Sequence, residues 1–493
     1  MNHPALSDLL DLRGLRQLEL AAEHAGLALM PRAAAAIADC CRQHIPPGST
    51  LLVAAGPGNN GGDALLAASL LQQAGYVVDV LLPQAPTSPA TQAALAAWQA
   101  RGSSVRPTLS DARPDWLLDG LFGVGLSRPL QGAWLRLIRQ LDDLPCRRLA
   151  IDVPSGLDAY TGQPQGAAVR ADLTLTLLGA KPGLFTGQGR DYSGKVLIDS
   201  LDCPPGLYPP PAGRLTVPSV RPLLRRHASH KGSYGTVSIV GSANGMGGAA
   251  ILAGRAALAL GAGKVFVHAQ SPLPLDPQAP ELMLRSWQDS LHIPASHVLL
   301  LGPGLGLSDD AHALMAKLIL HDNTLILDAD ALNLLAADQL LQEKLRQRRY
   351  PTLLTPHPTE AARLLDSDTD TIQQDRLAAW QQLCLRYAGN VLLKGSGTLI
   401  GNASQPYRLL TRGSPALAVA GQGDLLGGAI AALLAQGLSL LDAAHLAAEL
   451  HASAGEHYEQ AQGGPIGLSA STTLQLMTQE LNLRLKQAGA PAF

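Results

Sequence analysis

Asp424 stands in the stretch Gly421-Gln422-Gly423-Asp424-Leu425-Leu426-Gly427-Gly428, directly before the apolar pattern Ala429-Ile430-Ala431-Ala432-Leu433-Leu434. Glycines that lead into a helix N-terminus expose backbone N–H groups able to hold an anion, and a carboxylate beside them can orient or deprotonate a hydroxyl. That is a layout for phosphoryl transfer. The same octapeptide also reads as a glycine-rich turn capped by an aspartate, so its companions decide.

Five further clusters have side chains suited to chemistry. Lys394-Gly395-Ser396-Gly397-Thr398 can wrap an adenylate phosphate or base with backbone groups. His357, between two prolines, ends a strand beside the same cleft and is open to ligand contact or to a purely structural role. Asn59, Asn60 and Asp63 stand in Gly56-Pro57-Gly58-Asn59-Asn60-Gly61-Gly62-Asp63, where backbone can approach a diphosphate or sugar. No Gly-Lys-Ser/Thr follows and the spacing departs from GxGxxG, which favours nucleotide recognition without NTP hydrolysis. Asp119 and Ser155 offer hard oxygens to an alkali or alkaline-earth cation, with helix or turn capping as the alternative. Lys181, in Gly179-Ala180-Lys181-Pro182-Gly183, is either a surface lysine or a general acid/base in the cleft.

The elements that must position these groups alternate. After helices over residues 13 to 44, with a break near Gly26 and Pro31, strands are predicted at 51–55, 77–82, 116–119, 148–152, 173–178 and 195–199, with helices at 63–74, 89–100 and 133–141 between them. The polar clusters fall just beyond the carboxyl ends of strands, where ligands bind in parallel sheets. A proline-rich stretch from Pro204 to Pro222 reads as a stiff connector, with a boundary near residue 215 and units of 1–214 and 215–493. Alternation then restarts: strands at 236–240, 265–269, 298–301, 324–327, 352–354 and 391–393, with a small-residue helix at 248–262. The expected class is α/β, two three-layer domains of mostly parallel sheet covered on both faces.

Composition narrows the partners. At 493 residues the chain exceeds one ordinary domain of about 100–200 residues. A formal net charge of −2 without a long basic run argues against a nucleic-acid partner and for small molecules. The five cysteines form no CxxC pair and read as reduced cytosolic thiols. Acids among the first leucines argue against a signal peptide, and no apolar run reaches the roughly 18 residues of a membrane span.

Taken together, the motifs resemble known families. Gly58-Asn59-Asn60-Gly61-Gly62-Asp63, Asp119-Gly120-Leu121-Phe122-Gly123-Val124-Gly125-Leu126 and Asp152-Val153-Pro154-Ser155-Gly156 resemble the YjeF N-terminal family of NAD(P)HX epimerases. His230-Lys231-Gly232, Gly302-Pro303-Gly304, Thr355-Pro356-His357-Pro358-Thr359-Glu360, Lys394 to Thr398 and Gly421 to Asp424 resemble the ribokinase-like NAD(P)HX dehydratases. The resemblance covers nearly the whole chain. It implies a Rossmann-like N-terminal and a ribokinase-like C-terminal domain, epimerising (R)- and (S)-NAD(P)HX and dehydrating the S form with ADP, giving NAD(P)H, AMP and phosphate.

Residue by residue, it implies that hydrated nucleotide contacts Asn59, Asn60, Gly61, Gly62, Asp63, Gly123, Val124, Gly125, Leu126, Ser127, Arg128, Pro129 and Asp152. Potassium would sit on Asn60, Asp119 and Ser155. In the second half Ala249 or Ala250, Gly304, His357 and Asp424 match substrate positions, and Lys394, Gly395, Ser396, Gly397, Thr398 and Gly423 match adenine-nucleotide positions, with Mg2+ expected alongside ADP. Asp424, Asp152 and Lys181 are the candidate catalytic residues. NADHX, NADPHX and ADP are the implied partners of a cytoplasmic homo-oligomer that binds neither nucleic acid nor membrane. The chain departs from the family pattern at Ala64, Gly120, Val124 and Gln422, the last of which replaces a threonine and bears on phosphate contacts. The rival reading is a small-alcohol kinase fused to a non-catalytic nucleotide-binding scaffold.

Overall fold

The computed structural model describes residues 3–109, 113–126 and 128–489. The chain divides into two compact units, Met1–Leu215 and Thr216–Phe493.

In the first unit, β1 (Thr50–Ala55), β2 (Val77–Leu81), β3 (Trp116–Gly120), β4 (Arg147–Ile151), β5 (Leu173–Leu177) and β6 (Lys195–Asp199) form a parallel sheet in the order β2-β1-β3-β4-β5-β6. Period-two side-chain alternation divides β1 between two cores. Leu51, Val53 and Ala55 face one cluster, which includes residues of α1 (Leu12–His24), α2 (Leu29–His44) and α3 (Asn59–Gln73). Leu52 and Ala54 face another, containing Ile138 and Leu141 of α5, with α4 (Pro89–Gln99) preceding α5 (Gly132–Asp142) in the chain. Each large apolar side chain so buried contributes about 1.5–3 kcal/mol. The sheet order reverses between β1 and β3, and this is where a parallel sheet opens a crevice at its carboxyl edge.

The second unit begins with β7 (Thr236–Val240), α6 (Gly247–Ala259), β8 (Lys264–Ala269), β9 (Met283–Ser286) and β10 (Val298–Leu301). After α7 (Asp309–Leu318) come β11 (Thr324–Leu327), α8 (Asp330–Ala337), β12 (Thr352–Leu354), α9 (Pro358–Leu364), α10 (Arg376–Tyr387) and β13 (Asn390–Leu393). β14 (Leu399–Gly401) and β15 (Tyr407–Leu409) precede α11 (Gln422–Ala435), α12 (Leu440–Gln462) and α13 (Ala470–Gln487). Sheet order is β15-β14-β13-β12-β11-β10-β7-β8-β9, parallel except for the antiparallel β14 and β15. Here the reversal lies between β7 and β10.

Four sequence expectations are adjusted by the structure. Helix α3 starts at Asn59, four residues before the expected Asp63, and α11 starts at Gln422 where a glycine loop was expected. Glycine's poor helix propensity suggested loops, but packing overrides it. A Cβ on Gly428 would lie 2.0 Å from the Ala253 carbonyl oxygen, so α11 can pack this closely on α6 only without a side chain there. The first helical break falls at Gly26, whereas Pro31 lies in the first turn of α2, where its missing N–H costs nothing. The small-residue helix expected at 248–262 runs from Gly247 to Ala259.

Candidate active sites

In the first unit, α3 opens on Gly58 with no side-chain cap. Gly61 and Gly62 turn their N–H groups back to the Gly58 carbonyl. Their faces are used for packing: a Cβ on Gly61 would meet the Gly56 carbonyl oxygen at 1.8 Å, and one on Gly62 would meet Met30. Asn60 reaches the end of β4, its Nδ2 donating to the Ile151 carbonyl at 3.4 Å. Asp152 follows β4 with φ of +67°, a left-handed conformation that a non-glycine residue adopts only where its surroundings enforce it.

Lys181 donates to Asp152 Oδ1 at 2.5 Å and to the Leu177 carbonyl at 2.6 Å, and Leu177 N and Thr176 Oγ1 donate to the same Oδ1 at 3.2 and 3.3 Å. Asp152 Oδ2 faces Gly123, where a Cβ would lie 3.3 Å from it and 3.4 Å from Asn60 Cγ. Asp152, Asn60 and Gly123 thus share one small space, and Lys181 is a buried ion-pair partner, which resolves the choice against a surface lysine. Asp63, on the first turns of α3, has its carboxyl held well above the ordinary range by burial and by the charges of Asp152 and Glu19.

Asp119, at the end of β3, is fully buried. Ser155 Oγ donates to its Oδ1 at 2.6 Å and Ser155 N to its Oδ2 at 2.8 Å, while Phe122 N donates to Ser155 Oγ at 2.9 Å. Burial pushes the Asp119 carboxyl up to about 6, opposed by hydrogen bonds from Ser155 and Leu121, with no lysine or arginine among the groups acting on it. A buried acid with hydroxyl and amide oxygens nearby suits a hard cation. Among the described residues no three His, Cys, Asp or Glu side chains converge to hold a metal ion. Val124 packs on the core, Gly125, Arg128 and Pro129 are exposed, and Ser127 lies outside the described residues.

Two positions singled out in the sequence, Ala64 and Gly120, pack directly against each other. A Cβ on Gly120 would lie 2.6 Å from Ala64 Cβ, so the methyl that α3 carries at Ala64 occupies the room that glycine leaves on β3.

In the second unit, α11 opens on Gly421 at φ +84°, again with no side-chain cap. Asp424 lies in its first turn. Burial raises its carboxyl to about 6, with Asp328 and Asp330 adding to the rise and Lys394 opposing it. Lys394 Nζ lies 2.7 Å from Asp328 Oδ1 and 3.9 Å from Glu360 Oε2, and a Cβ on Gly423 would stand 3.5 Å from that ammonium. Burial works against the charge of Lys394, but Asp328, Glu360 and Asp424 outweigh it and hold its pKa above the ordinary value.

The backbone of Lys394 to Gly397 folds around a buried arginine. Arg376 of α10 donates to the carbonyls of Leu393, Lys394 and Gly397 at 3.4, 3.1 and 3.4 Å, and Gly395 and Gly397 take φ of +129° and +68° over it. Thr398 Oγ1 closes the loop onto the Gly395 carbonyl at 3.1 Å. His357 caps α9: its Nδ1 accepts from the N–H groups of Thr359 and Glu360, which leaves the ring proton on Nε2, 3.3 Å from Glu360 Oε1. Burial and the neighbouring Lys394 lower the His357 pKa. Burial pushes Glu360 up to about 7. Gly304, at φ +60°, lies against the start of α6, where its Cβ would be 3.2 Å from that of Ala249.

Gln422 is turned away from this space. It donates to Thr473 Oγ1 at 2.9 Å and its Oε1 lies 2.8 Å from His451 Nε2, joining α11 to α12 and α13. The expectation that Gln422 bears on phosphate contacts is therefore corrected to a packing role. Three residues engaged here, Arg376, Asp328 and Glu360, were not among the sequence candidates. Arg376 is far from the loop in sequence; Asp328 offered only an acid just beyond a strand, and Glu360 stood in the Thr355 to Glu360 motif without a role assigned to it.

Two parallel α/β units, each with an uncapped glycine helix start and buried acids at the carboxyl edge of its sheet, define a two-site enzyme. Comparison with known proteins gives its family. Residues 237–476 match the family described as NAD(P)H-hydrate dehydratase, and residues 26–183 match the YjeF-related protein N-terminus. The bifunctional NAD(P)H-hydrate repair enzyme Nnr of Coxiella burnetii is 38% identical over 367 residues, covering 72% of this chain and 73% of the relative. The Escherichia coli enzyme of the same name is 35% identical over 445 residues, covering 87% and 84%. A solved Bacillus subtilis ADP/ATP-dependent NAD(P)H-hydrate dehydratase, co-crystallized with ATP/Mg2+, is 25% identical over 55% of this chain and 99% of that one, with a TM-score of 0.46. The chain belongs to the family of bifunctional NAD(P)H-hydrate repair enzymes. That placement sets aside the small-alcohol kinase and scaffold reading.

Proposed function

We propose that the second unit dehydrates (S)-NAD(P)HX at the expense of ADP and that the first interconverts the two epimers so that both are repaired. The observation that carries this is the Asp424 carboxyl, raised to about 6 at the open N-terminus of α11 with the Lys394 ammonium beside it. Hydroxide on C6 of the reduced pyridine ring is a poor leaving group. Asp424 takes the hydroxyl proton, the oxygen attacks the β-phosphorus of ADP, and AMP departs as the bond to its bridging oxygen breaks. The ring nitrogen then expels phosphate, and loss of a proton from the adjacent ring carbon restores the dihydropyridine. Backbone N–H groups at the start of α11 face the charge that develops. Lys394 to Thr398 and Gly423 line the nucleotide, and Ala249, Gly304 and the donor of His357 line the hydrate. Mg2+ comes with the nucleotide, neutralising phosphate charge.

In the first unit, Asp152 is the acid–base group. Lys181 and the two other donors fix its Oδ1, which leaves Oδ2 to exchange a proton with the C6 hydroxyl beside Asn60 and Gly123. Taking that proton lets the C6–N1 bond open to an aldehyde, and closure on the opposite face with return of the proton gives the other epimer. Asn60, Asp119 and Ser155 would hold potassium, which would supply a fixed positive charge to the site. Asn59 and Asp63 on α3, with Gly123 to Leu126, would contact the rest of the hydrated nucleotide. Five free cysteines support a cytoplasmic setting, and among the described residues no helix is long and apolar enough to cross a membrane.

Asp424→Asn tests the assignment. ADP-dependent recovery of dihydronicotinamide absorbance should fall by about 1,000-fold or more while exchange between epimers continues. Near-normal recovery would contradict it.

A further inference from the structure

Asp328 has no part in the steps above, yet it ties Lys394 and Thr355 to the start of α11. It follows β11 directly, is 2% exposed, and accepts at Oδ1 from Lys394 Nζ and from Thr355 Oγ1, both at 2.7 Å. Its Oδ2 faces α11, where Cβ atoms on Gly423 and Gly427 would lie 3.9 and 3.7 Å away. Lys394 follows β13, and β12 lies between β13 and β11 in the sheet. Neighbouring strands are about 4.8 Å apart, so the lysine stem must cross the end of β12 to reach Asp328. Its backbone stays in the nucleotide loop and its charge is delivered to the first turn of α11.

We propose that Asp328 is a positioning residue for phosphoryl transfer, holding the Lys394 ammonium across the end of β12 so that it faces the phosphoryl group passing from a nucleoside diphosphate to the hydroxyl at Asp424. This rests on the ADP-dependent reading of the site. In the transfer, the bond to the bridging oxygen breaks, the bond to the hydroxyl oxygen forms, and negative charge spreads over the equatorial oxygens of the moving group, which a fixed ammonium stabilises. Asp424 and Glu360 also lie within the field of Lys394. Without Asp328 the ammonium settles on one of them, and pairing with Asp424 blunts the base. Asp328 therefore keeps the cation and the base apart.

The test compares D328N, D328E, K394M and D328N/K394M with the wild-type full chain, using ADP with Mg2+ and the S hydrate. Thermal melts establish which variants are folded; should D328N be unfolded, D328E, which keeps the charge but displaces it, carries the comparison. Expected for D328N is a fall in kcat of about 100-fold at saturating ADP, the size of effect that an ångström of misplacement produces, with a smaller change in KM. D328E should recover part of the loss. The acid limb of kcat, governed by Asp424 facing Asp328, Lys394 and Asp330, should move to lower pH once the Asp328 charge is gone. The double variant should be no slower than K394M alone, because Asp328 acts through Lys394. Additive losses in the double variant, or a D328N kcat within about twofold of wild type, would overturn the proposal. If wild type binds ADP but leaves the hydrate unchanged, the dehydratase reading fails by itself. Titrations with ADP and AMP then decide the positioning role: loss of preference for ADP in D328N and K394M supports it, and an unchanged preference overturns it.

Discussion

The two units open their sites with the same device and each holds a buried lysine–aspartate pair, but they treat one further acid beyond a strand differently. Helices α3 and α11 both start on glycine without a side-chain cap, at the carboxyl edge of a parallel sheet. Beside the first lies Asp119, fully buried, its carboxyl raised by burial and opposed by hydrogen bonds from Ser155 and Leu121; beside the second lies Asp328, buried nearly as deeply but paired with Lys394. A buried carboxylate without a cationic partner is costly, whereas an ammonium beside it offsets that cost. The difference matches the chemistry. Epimerisation moves a proton and needs only a fixed field, while phosphoryl transfer needs a positive charge placed to within an ångström or so.

The largest test of this contrast is Asp119→Ala, which should lower epimer exchange at least tenfold or so and abolish its response to potassium, with dehydration of the S epimer unchanged. Exchange at the original rate, still potassium-dependent, would break the contrast. A smaller effect concerns how closely the first site is packed. Gly120→Ala drives a methyl into Ala64 and should cost about 1–3 kcal/mol by chemical denaturation, and adding Ala64→Gly should restore most of it. Additive losses would show that the two positions do not compensate.

For the second site the expected effect on stability is smaller and depends on pH. The folded Asp424 carboxyl, at about 6, lies above its ordinary value of 3.8, so the folded state binds the proton more tightly. Its contribution to stability is present below about pH 4 and is lost as pH rises through about 6. Asp424→Asn should therefore melt above wild type at pH 8 and alongside it at pH 4; the reverse order would deny that this acid is strained. Smallest of all, Gln422→Thr should cost about 1 kcal/mol through its lost bonds to His451 and Thr473 and leave the KM for ADP unchanged. A changed KM would return Gln422 to the nucleotide site.

Much of this was legible in the sequence because parallel strands are continuous apolar runs. Thr236–Val240, Val298–Leu301, Thr324–Leu327 and Thr352–Leu354 stand where their composition places them. β9 was missed since Met283 to Ser286 is short and only partly buried, which leaves no periodic signal. The glycine helix starts were read as loops because intrinsic propensity is local, while the need for glycine at Gly428 comes from the Ala253 carbonyl on another helix. Asp424, Asp152, Lys181 and Asp119 were visible as charges at strand or helix ends. Arg376 was not: it lies on a helix with no motif of its own, and its role exists only once the Lys394 loop has folded over it. The pairing of Asp328 with Lys394, 66 residues apart, likewise depends on strand order, which no local pattern carries.

The most direct measurement mixes the full chain with ADP, Mg2+, potassium and equal amounts of the two NADHX epimers, and follows dihydronicotinamide absorbance for wild type and Asp152→Asn. Wild type should restore the whole mixture. Asp152→Asn should restore the S half at the wild-type rate and then continue only as slowly as the epimers exchange unaided. If Asp152→Asn restored both halves in a single phase at the wild-type rate, the division of labour between the two sites would be wrong.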